Sequence, residues 1–459
     1  MRADSTPPRR FSPRASLATI GLRLRQLDLF RTIRETVRIP QKTVKHSPAE
    51  KLYDAFVAIL AGSHGLNEIN SRLRSDEVLQ RAFGRTTCAE YSVVQDTLDA
   101  CTPENVEQMR LALNSIFREH GQAARHNYGH GLQLLDIDMS GLPCGPQAEL
   151  SREGYFSKAG IRTGRQLGRV VASRYEEIVV DQTFAGNIQL TSCLRPLVSA
   201  AEEVLQLDYD RRTRTLLRMD AGGGTLDDLN WCLARGYQLH CKDISSKRAE
   251  AWAATVREWF EDPNNPDRQF GWVIPGDSLD YVRPVKRLAI RWRKHNGQLC
   301  HQLLVSTLEP REVMELLGRP HRNIFEPELV APAYARLYDQ RAGAIEIEFK
   351  EDKQGVGLTK RRKKRAAAQQ MVVLLNSLAH NVLVWARGWL SAEQPRAKRY
   401  GILRLVRDVF GVSGFVESDE GGEIRRLVPN KRSAIARSFL VSFQALLRAQ
   451  GVIVELGST

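Results

Sequence analysis

LQLLDIDMSG at Leu132–Gly141 and TLLRMDAGGG at Thr215–Gly224 decide how this chain reads. Each is an apolar run of strand length that meets an aspartate, Asp138 in the first and Asp220 in the second. A carboxylate at the end of a buried strand emerges from the sheet edge beside an open crevice, so the two face one site when their strands are neighbours. Taken singly, each Asp also reads as a turn initiator, because its side chain accepts hydrogen bonds from backbone N–H groups two residues on.

The surroundings build a sheet. QLGRVVASRY (166–175) and EEIVVDQTFAGN (176–187) read as two further strands. After Asp220, TLDDLNWCLARGY offers Thr225 as N-cap, Asp228 three residues on and Gly236 as a stop, and YQLHCKDI follows as a strand. Strand, helix, strand predicts a parallel pair with a right-handed crossover. The AGGGT run lacks the Gly-Lys-Ser/Thr ending of a phosphate loop and reads as a tight turn.

Upstream, SPAEKLYDAFVAILAG predicts a helix with Ser47 at the N-cap, Pro48 first, Glu50 completing a capping box and Gly62 as the stop. Helical pieces around LNEINSRLRS, EYSVVQDTLDAC and PENVEQMRLALNSIFREHG make residues 46–128 an all-α domain. Residues 1–45, with eleven Lys or Arg against three acids and four prolines, read as a partly ordered basic arm. Residues 246–330 read as a β-rich insertion after a Trp-bearing helix at AEAWAATVREWFE, with strands at GWVIPG, VKRLAIRWRKH and QLCHQLLVSTL. Helices return over 331–390, and residues 391–459 read as a C-terminal helical region containing the Gly-rich GVSGFVESDEGGE.

At 459 residues, 42% hydrophobic and 26% charged, the composition is that of a globular protein of two or three domains. The formal charge of +14 favours a polyanionic partner, nucleic acid first. Seven cysteines without a C-x-x-C suggest neither a disulfide framework nor a zinc ribbon, and fit a reducing compartment. Met371–Leu390 carries two Asn, a Ser, a His and an Arg, which predicts a packed helix rather than a membrane span. The Arg-rich N-terminus lacks an uninterrupted apolar stretch, so no export is implied. His126 and His130, four apart but separated by Gly129 and outside any evident helix, do not suggest a zinc site.

A third acid is expected from the helix YDQRAGAIEIEFKEDKQG (338–355), where Tyr338, Arg341, Glu346 and Lys353 are separated by two, four and six residues. On these residues, and on the order of elements over roughly 46 to 390, the chain resembles the DDE transposases of bacterial insertion sequences, in the group with a Y-x2-R-x3-E-x6-K signature. The resemblance implies an α/β, RNase H-like catalytic domain over 129–245 and 331–390, interrupted by the β-rich insertion and preceded by an α-helical DNA-end-binding domain. It implies that Asp138, Asp220 and Glu346 are catalytic and bind two divalent cations, Mg²⁺ or Mn²⁺. Hard carboxylate oxygens suit such ions, and two of them ~3.5–4 Å apart activate a water or 3′-hydroxyl and stabilise the leaving oxygen. Tyr338, Arg341 and Lys353 would engage phosphates near the scissile bond.

The implied partner is double-stranded DNA with terminal inverted repeats, bound by a homodimer in the DNA complex, with no membrane and a cytoplasmic, nucleoid-associated location. Rival readings are a non-catalytic DNA-binding relic and a stand-alone nuclease of the same fold. The chain departs from the signature in one place, with four residues rather than three between Arg341 and the first Glu. On an unbroken helix at ~100° per residue, Glu346 lies about 140° from Arg341 and Glu348 about 20° from it. Glu346 keeps the spacing to Lys353, which predicts that the extra residue is absorbed near Gly343 in a bulge, with Glu348 as the alternative acid. Trp292, among Arg291, Arg293 and Lys294, suits stacking on an extruded base, although such a Trp also suits a core. The run Lys360–Arg365, including Arg361 and Arg362, is expected on the DNA backbone, where adjacent cations release counterions.

Overall fold

The computed structural model describes residues 9–42, 45–156, 160–274, 281–320 and 323–457. Ends of two expected features, residues 1–8, 43 and 44 of the basic arm and 275–276 of GWVIPG, lie outside them. The chain is mixed α/β. Its strands are β1 (Arg9–Ser12), β2 (Gln133–Pro143), β3 (Arg152–Tyr155), β4 (Ile161–Ala172), β5 (Glu177–Ala185), β6 (Thr215–Met219), β7 (Gln238–Lys242), β8 (Phe260–Asp262), β9 (Asn265–Trp272), β10 (Lys286–Arg293), β11 (Leu299–Ser306), β12 (Gly414–Ser418), β13 (Ile424–Pro429) and β14 (Ile453–Val454). Two compact units result, one of residues 1–121, 142–151 and 348–459, the other of 122–141 and 152–347.

The second unit is organised by a ten-stranded sheet in the order β3-β4-β2-β6-β7-β11-β10-β9-β8, with β5 also paired to β4. Its centre is parallel: β2 pairs β6 through Ile137 opposite Met219, and β6 pairs β7 through Leu217 opposite Leu239. The strands expected around Asp138 and Asp220 and at VKRLAIRWRKH and QLCHQLLVSTL are present, whereas of GWVIPG only Gly271 and Trp272 belong to a strand among the described residues. The crossover between β6 and β7 is the helix Leu226–Ala234, capped by Thr225 onto the Asp228 N–H. Residues 260–306 do not fold apart from this sheet but continue it, because β11 adds antiparallel to β7. The helix expected at 249–261 ends at Ala253, and its last residues enter β8.

A helix, Pro327–Arg341, lies on this sheet, with Tyr334, Leu337 and Tyr338 packed among Leu216, Phe270, Leu288, Ile290 and Leu304. Trp292 is half-buried against the same cluster. Two polar residues also fasten the helix to the sheet. Arg218 on β6 forms a bidentate pair with its register partner Asp136, at 2.6 and 2.8 Å, and donates to the Leu337 carbonyl at 3.0 Å. His240 on β7 bridges the Ser306 hydroxyl and the Tyr334 carbonyl, each at 3.0 Å.

Burial holds His240 neutral, pushing its pKa down to about 3. A histidine with a depressed folded pKa contributes stability that is present above about pH 6.5 and is lost as the pH falls, because the unfolded chain then binds the extra proton. The destabilisation caused by His240→Gln is therefore expected to be largest at pH 7.5 and to shrink by about 2 kcal/mol on going to pH 5. Urea unfolding of both proteins at the two pH values measures this; a pH-independent difference would contradict it.

In the first unit, Ser47 and Glu50 form the expected capping box on helix Pro48–Leu60, and helices Glu68–Arg72, Tyr91–Asp99 and Pro103–His120 follow. The basic arm is folded from Arg9 onward. Helix Ala15–Gln26 buries Leu17, Ile20, Leu22 and Leu24, and its arginines fall on other faces. The C-terminal region is not purely helical either, since the Gly-rich segment supplies strand β12 and the turn of an antiparallel β12/β13 hairpin. A four-stranded sheet, β1-β12-β13-β14, joins it to the N-terminal strand. Met371–Leu390 lies within the buried helix Ala366–Ser391, and no helix among the described residues is long and apolar enough to cross a membrane.

The basic run Lys360–Arg365 divides. Lys360, Arg362, Lys364 and Arg365 are exposed, whereas Arg361 is buried and donates to the carbonyls of Ser63, Val356 (2.7 Å) and Gly357. Arg361 therefore closes loops of the fold instead of reaching DNA: a guanidinium offers five donors, enough to satisfy several orphan carbonyls at once.

Candidate active site

Side chains alternate along β2, so Asp136 and Asp138 share one side of the strand. Asp136 is consumed by Arg218, and Asp138 lies one residue past the last paired position, beside Asp220 one residue past the end of β6. Ile137 and Met219, just before them, are fully buried, while Asp138 and Asp220 are partly exposed. The sheet thus delivers both carboxylates to one open end, as expected if their strands were neighbours.

Each carboxylate is held. Asp138 accepts the Met139 N–H at 2.7 Å and Arg341 Nη1 at 3.3 Å, and Asp220 accepts the Gly222 N–H at 2.9 Å. Burial lifts the Asp138 carboxyl to about pKa 6, against the opposing pull of Arg341 and with the like charge of Asp220 adding to the rise. Burial works against the charge of Arg341, yet the carboxylates of Asp138 and Asp220 keep its pKa above the ordinary value. Tyr338 is buried, which pushes its hydroxyl up, and its ring lies under Lys242 Nζ at 4.5 Å. Arg341, Tyr338 and the two aspartates therefore converge from one helix and two strands.

Glu346 is not brought to this pair. The expected bulge is present as a π-helical turn over Ala342–Glu346, which contains Gly343. A π turn takes up one residue more than an α turn, so Glu346 falls where a residue four after Arg341 would lie, about 40° around the helix. Its side chain is exposed, and Glu348 is 6% exposed within the first unit. Among the described residues no three His, Cys, Asp or Glu side chains are grouped to hold a metal ion. Lys353 is half-buried, with its ammonium 5.9 Å from the Phe349 ring. His126 bonds Tyr175 and the Gly131 carbonyl.

Two residues here escaped the sequence reading. Arg218 was hidden inside a strand read as apolar, with no local sign that Asp136 opposes it. Lys242 ends YQLHCK much as Asp220 follows TLLRM; both Asp220 and Lys242 lie three residues past the β6/β7 pair Leu217 and Leu239. That shared terminal position was the available signal.

The three glycines let the turn after Asp220 close on β7. A Cβ on Gly224 would sit 2.0 Å from the Lys242 carbonyl oxygen, and the Gly224 carbonyl accepts the Ile244 N–H. Gly224→Ala is expected to cost roughly 1–3 kcal/mol by forcing these backbones apart, measured as a fall in the urea midpoint.

No protein-family model matches the chain, and no curated protein matches it. Among solved structures it is similar to the piggyBac transposase synaptic complex with hairpin DNA, a cryo-EM structure. The identity is 12% and the TM-score 0.47, over 88% of this chain and 80% of that one.

Proposed function

We propose that the chain is a DDE-type transposase whose catalytic domain is RNase H-like. The reading is supported by the central sheet, in which three parallel strands, β2, β6 and β7, are flanked by the β4/β5 hairpin. The single observation that carries it is the pair Asp138 and Asp220 just past the end of the parallel β2/β6 pairing, with Arg341 on the first of them.

The donor set fits a hard cation. Two partly exposed carboxylates lie together, one with its pKa raised by burial and by its neighbour, so a divalent ion would relieve a repulsion already present. Asp138 and Asp220 would hold Mg²⁺ or Mn²⁺. Bound ions would supply Lewis-acid activation of a water or 3′-hydroxyl and stabilise the leaving oxygen.

The chain's own residues supply the rest. Arg341 keeps Asp138 ionised and aimed through a charge-assisted hydrogen bond, and its buried Nε has no hydrogen-bond partner among the described residues, leaving a donor for a phosphate oxygen. The Gly222 N–H holds Asp220 in the extended conformation that ends β6. Tyr338 would align the strand. The substrate on this reading is DNA with terminal inverted repeats, bound by a homodimer in the nucleoid, cut at the element's ends and joined to target DNA. The test is metal-dependent nicking of plasmid DNA by the full chain and by Asp138→Ala. Nicking by both to the same extent would refute the reading, and retention of end binding with loss of nicking would support it.

A further inference from the structure

Lys242 is the third residue that the parallel strands deliver to the same end of the sheet. Asp138 and Asp220 each lie one residue past the last β2/β6 pair and Lys242 ends β7, and each is partly exposed where the residue before it is fully buried. Its ammonium rests over the Tyr338 ring at 4.5 Å, a cation–π contact that places it on the face where Arg341 meets Asp138.

No carboxylate among the described residues ion-pairs with it. The acids within electrostatic reach are engaged elsewhere: Asp339 with Arg268 at 2.7 Å, and Asp220 with the Gly222 N–H. Asp243, the next residue in the chain, pairs with Arg248 at 2.8 Å. Largely desolvated charge without a counter-ion is costly, and burial accordingly lowers the Lys242 pKa. Arg341 Nε is a second buried donor at the same place without an acceptor among the described residues.

A cation site alone has no use for an ammonium beside its carboxylates, since the like charge weakens metal binding. A phosphodiester accounts for both. Its non-bridging oxygens bring the missing negative charge, while metal ions at the carboxylates face its other side. We propose that Lys242 is a phosphate-binding residue of this site, contacting the backbone of the DNA strand lying across Asp138 and Asp220. Lysine acts there as a point charge that tolerates any sequence, with Tyr338 as the platform fixing its position. The assignment rests on reading the site as one that acts on DNA, and goes beyond the signature residues of the helix.

The test uses the full chain, a short blunt duplex of arbitrary sequence, and calcium in place of magnesium to hold cleavage off. Affinity is titrated against salt for wild type, Lys242→Met, Lys242→Gln and Lys242→Arg, with thermal melting showing which variants fold. Loss of one phosphate contact lowers the slope of log K against log salt by about 0.9. That fall is expected for the Met and Gln variants, with the slope restored in the Arg variant. An unchanged slope in folded Met or Gln variants overturns the assignment, as does failure of the wild type to bind duplex. Magnesium-dependent nicking is scored separately. A Lys242-dependent slope without nicking leaves Lys242 as a phosphate contact and removes the catalytic reading; nicking with an unchanged slope does the reverse.

Discussion

Asp220→Ala and Asp138→Ala are each expected to lower the rate of magnesium-dependent nicking by at least ~10³-fold, a barrier increase of about 4 kcal/mol, while duplex binding in calcium changes little. The asymmetry follows from what each carboxylate does. On the proposed reading both act by holding cations against the reacting phosphate, so their loss removes chemistry and leaves the basic groups that bind. The two variants differ in their structural cost. Alanine at 138 strands Arg341, which is 3% exposed and has Asp138 as its carboxylate partner at 3.3 Å, so part of any loss could be repacking. Asp138→Asn keeps the shape and a hydrogen-bond acceptor for Arg341, and Asp220 carries no ion pair among the described residues. Loss of nicking in all three variants with melting temperatures near wild type assigns the effect to the carboxylates. Nicking retained in Asp220→Ala would show that this pair is not the reaction centre.

The second large effect is on stability. Arg218→Met removes a guanidinium that is 2% exposed and leaves Asp136, which is fully buried, with its charge uncompensated and the Leu337 carbonyl without that donor. Breaking one side of a buried pair costs about 3–5 kcal/mol, most of it the stranded charge. An exposed pair such as Arg311–Glu315, at 3.1 Å, is worth only about 0.3–0.5 kcal/mol, so its removal serves as the comparison. The double variant Asp136→Leu with Arg218→Met is expected to recover most of the loss, because the cost lies in the unpaired ion and not in the absence of the pair. Denaturant midpoints of the four proteins measure this directly. Equal midpoints for Arg218→Met and wild type would mean that the pair does not fasten helix Pro327–Arg341 to the sheet.

Much of the local structure was legible because its causes are local. Ser47 with Glu50 and Thr225 with Asp228 satisfy orphan N–H groups within one turn, so the helix starts lie where those residues stand. The parallel β6/β7 pair followed from strand, helix, strand. The extra residue after Arg341 had to go somewhere, and the π turn at Ala342–Glu346 takes it up.

What escaped the reading was decided by partners far away in the chain. Residues 9–26 looked like a basic arm because their arginines dominate the composition, but β1 pairs with β12 some four hundred positions on, and the apolar face of the following helix is buried. Arg361 stood in a run of six cations, and only the nearness of the Ser63, Val356 and Gly357 carbonyls singles it out as a buried donor.

By itself the sequence determined where the capped helices begin and which apolar runs form the central strands, since capping, periodicity and turn chemistry act over a few residues. Only the tertiary structure decided which strand ends meet. It set Asp138 beside Asp220 with Arg341 and Lys242 nearby, locked Asp136 to Arg218, and left Glu346 exposed, because register and helix docking are fixed by burial between segments separated by tens to hundreds of residues.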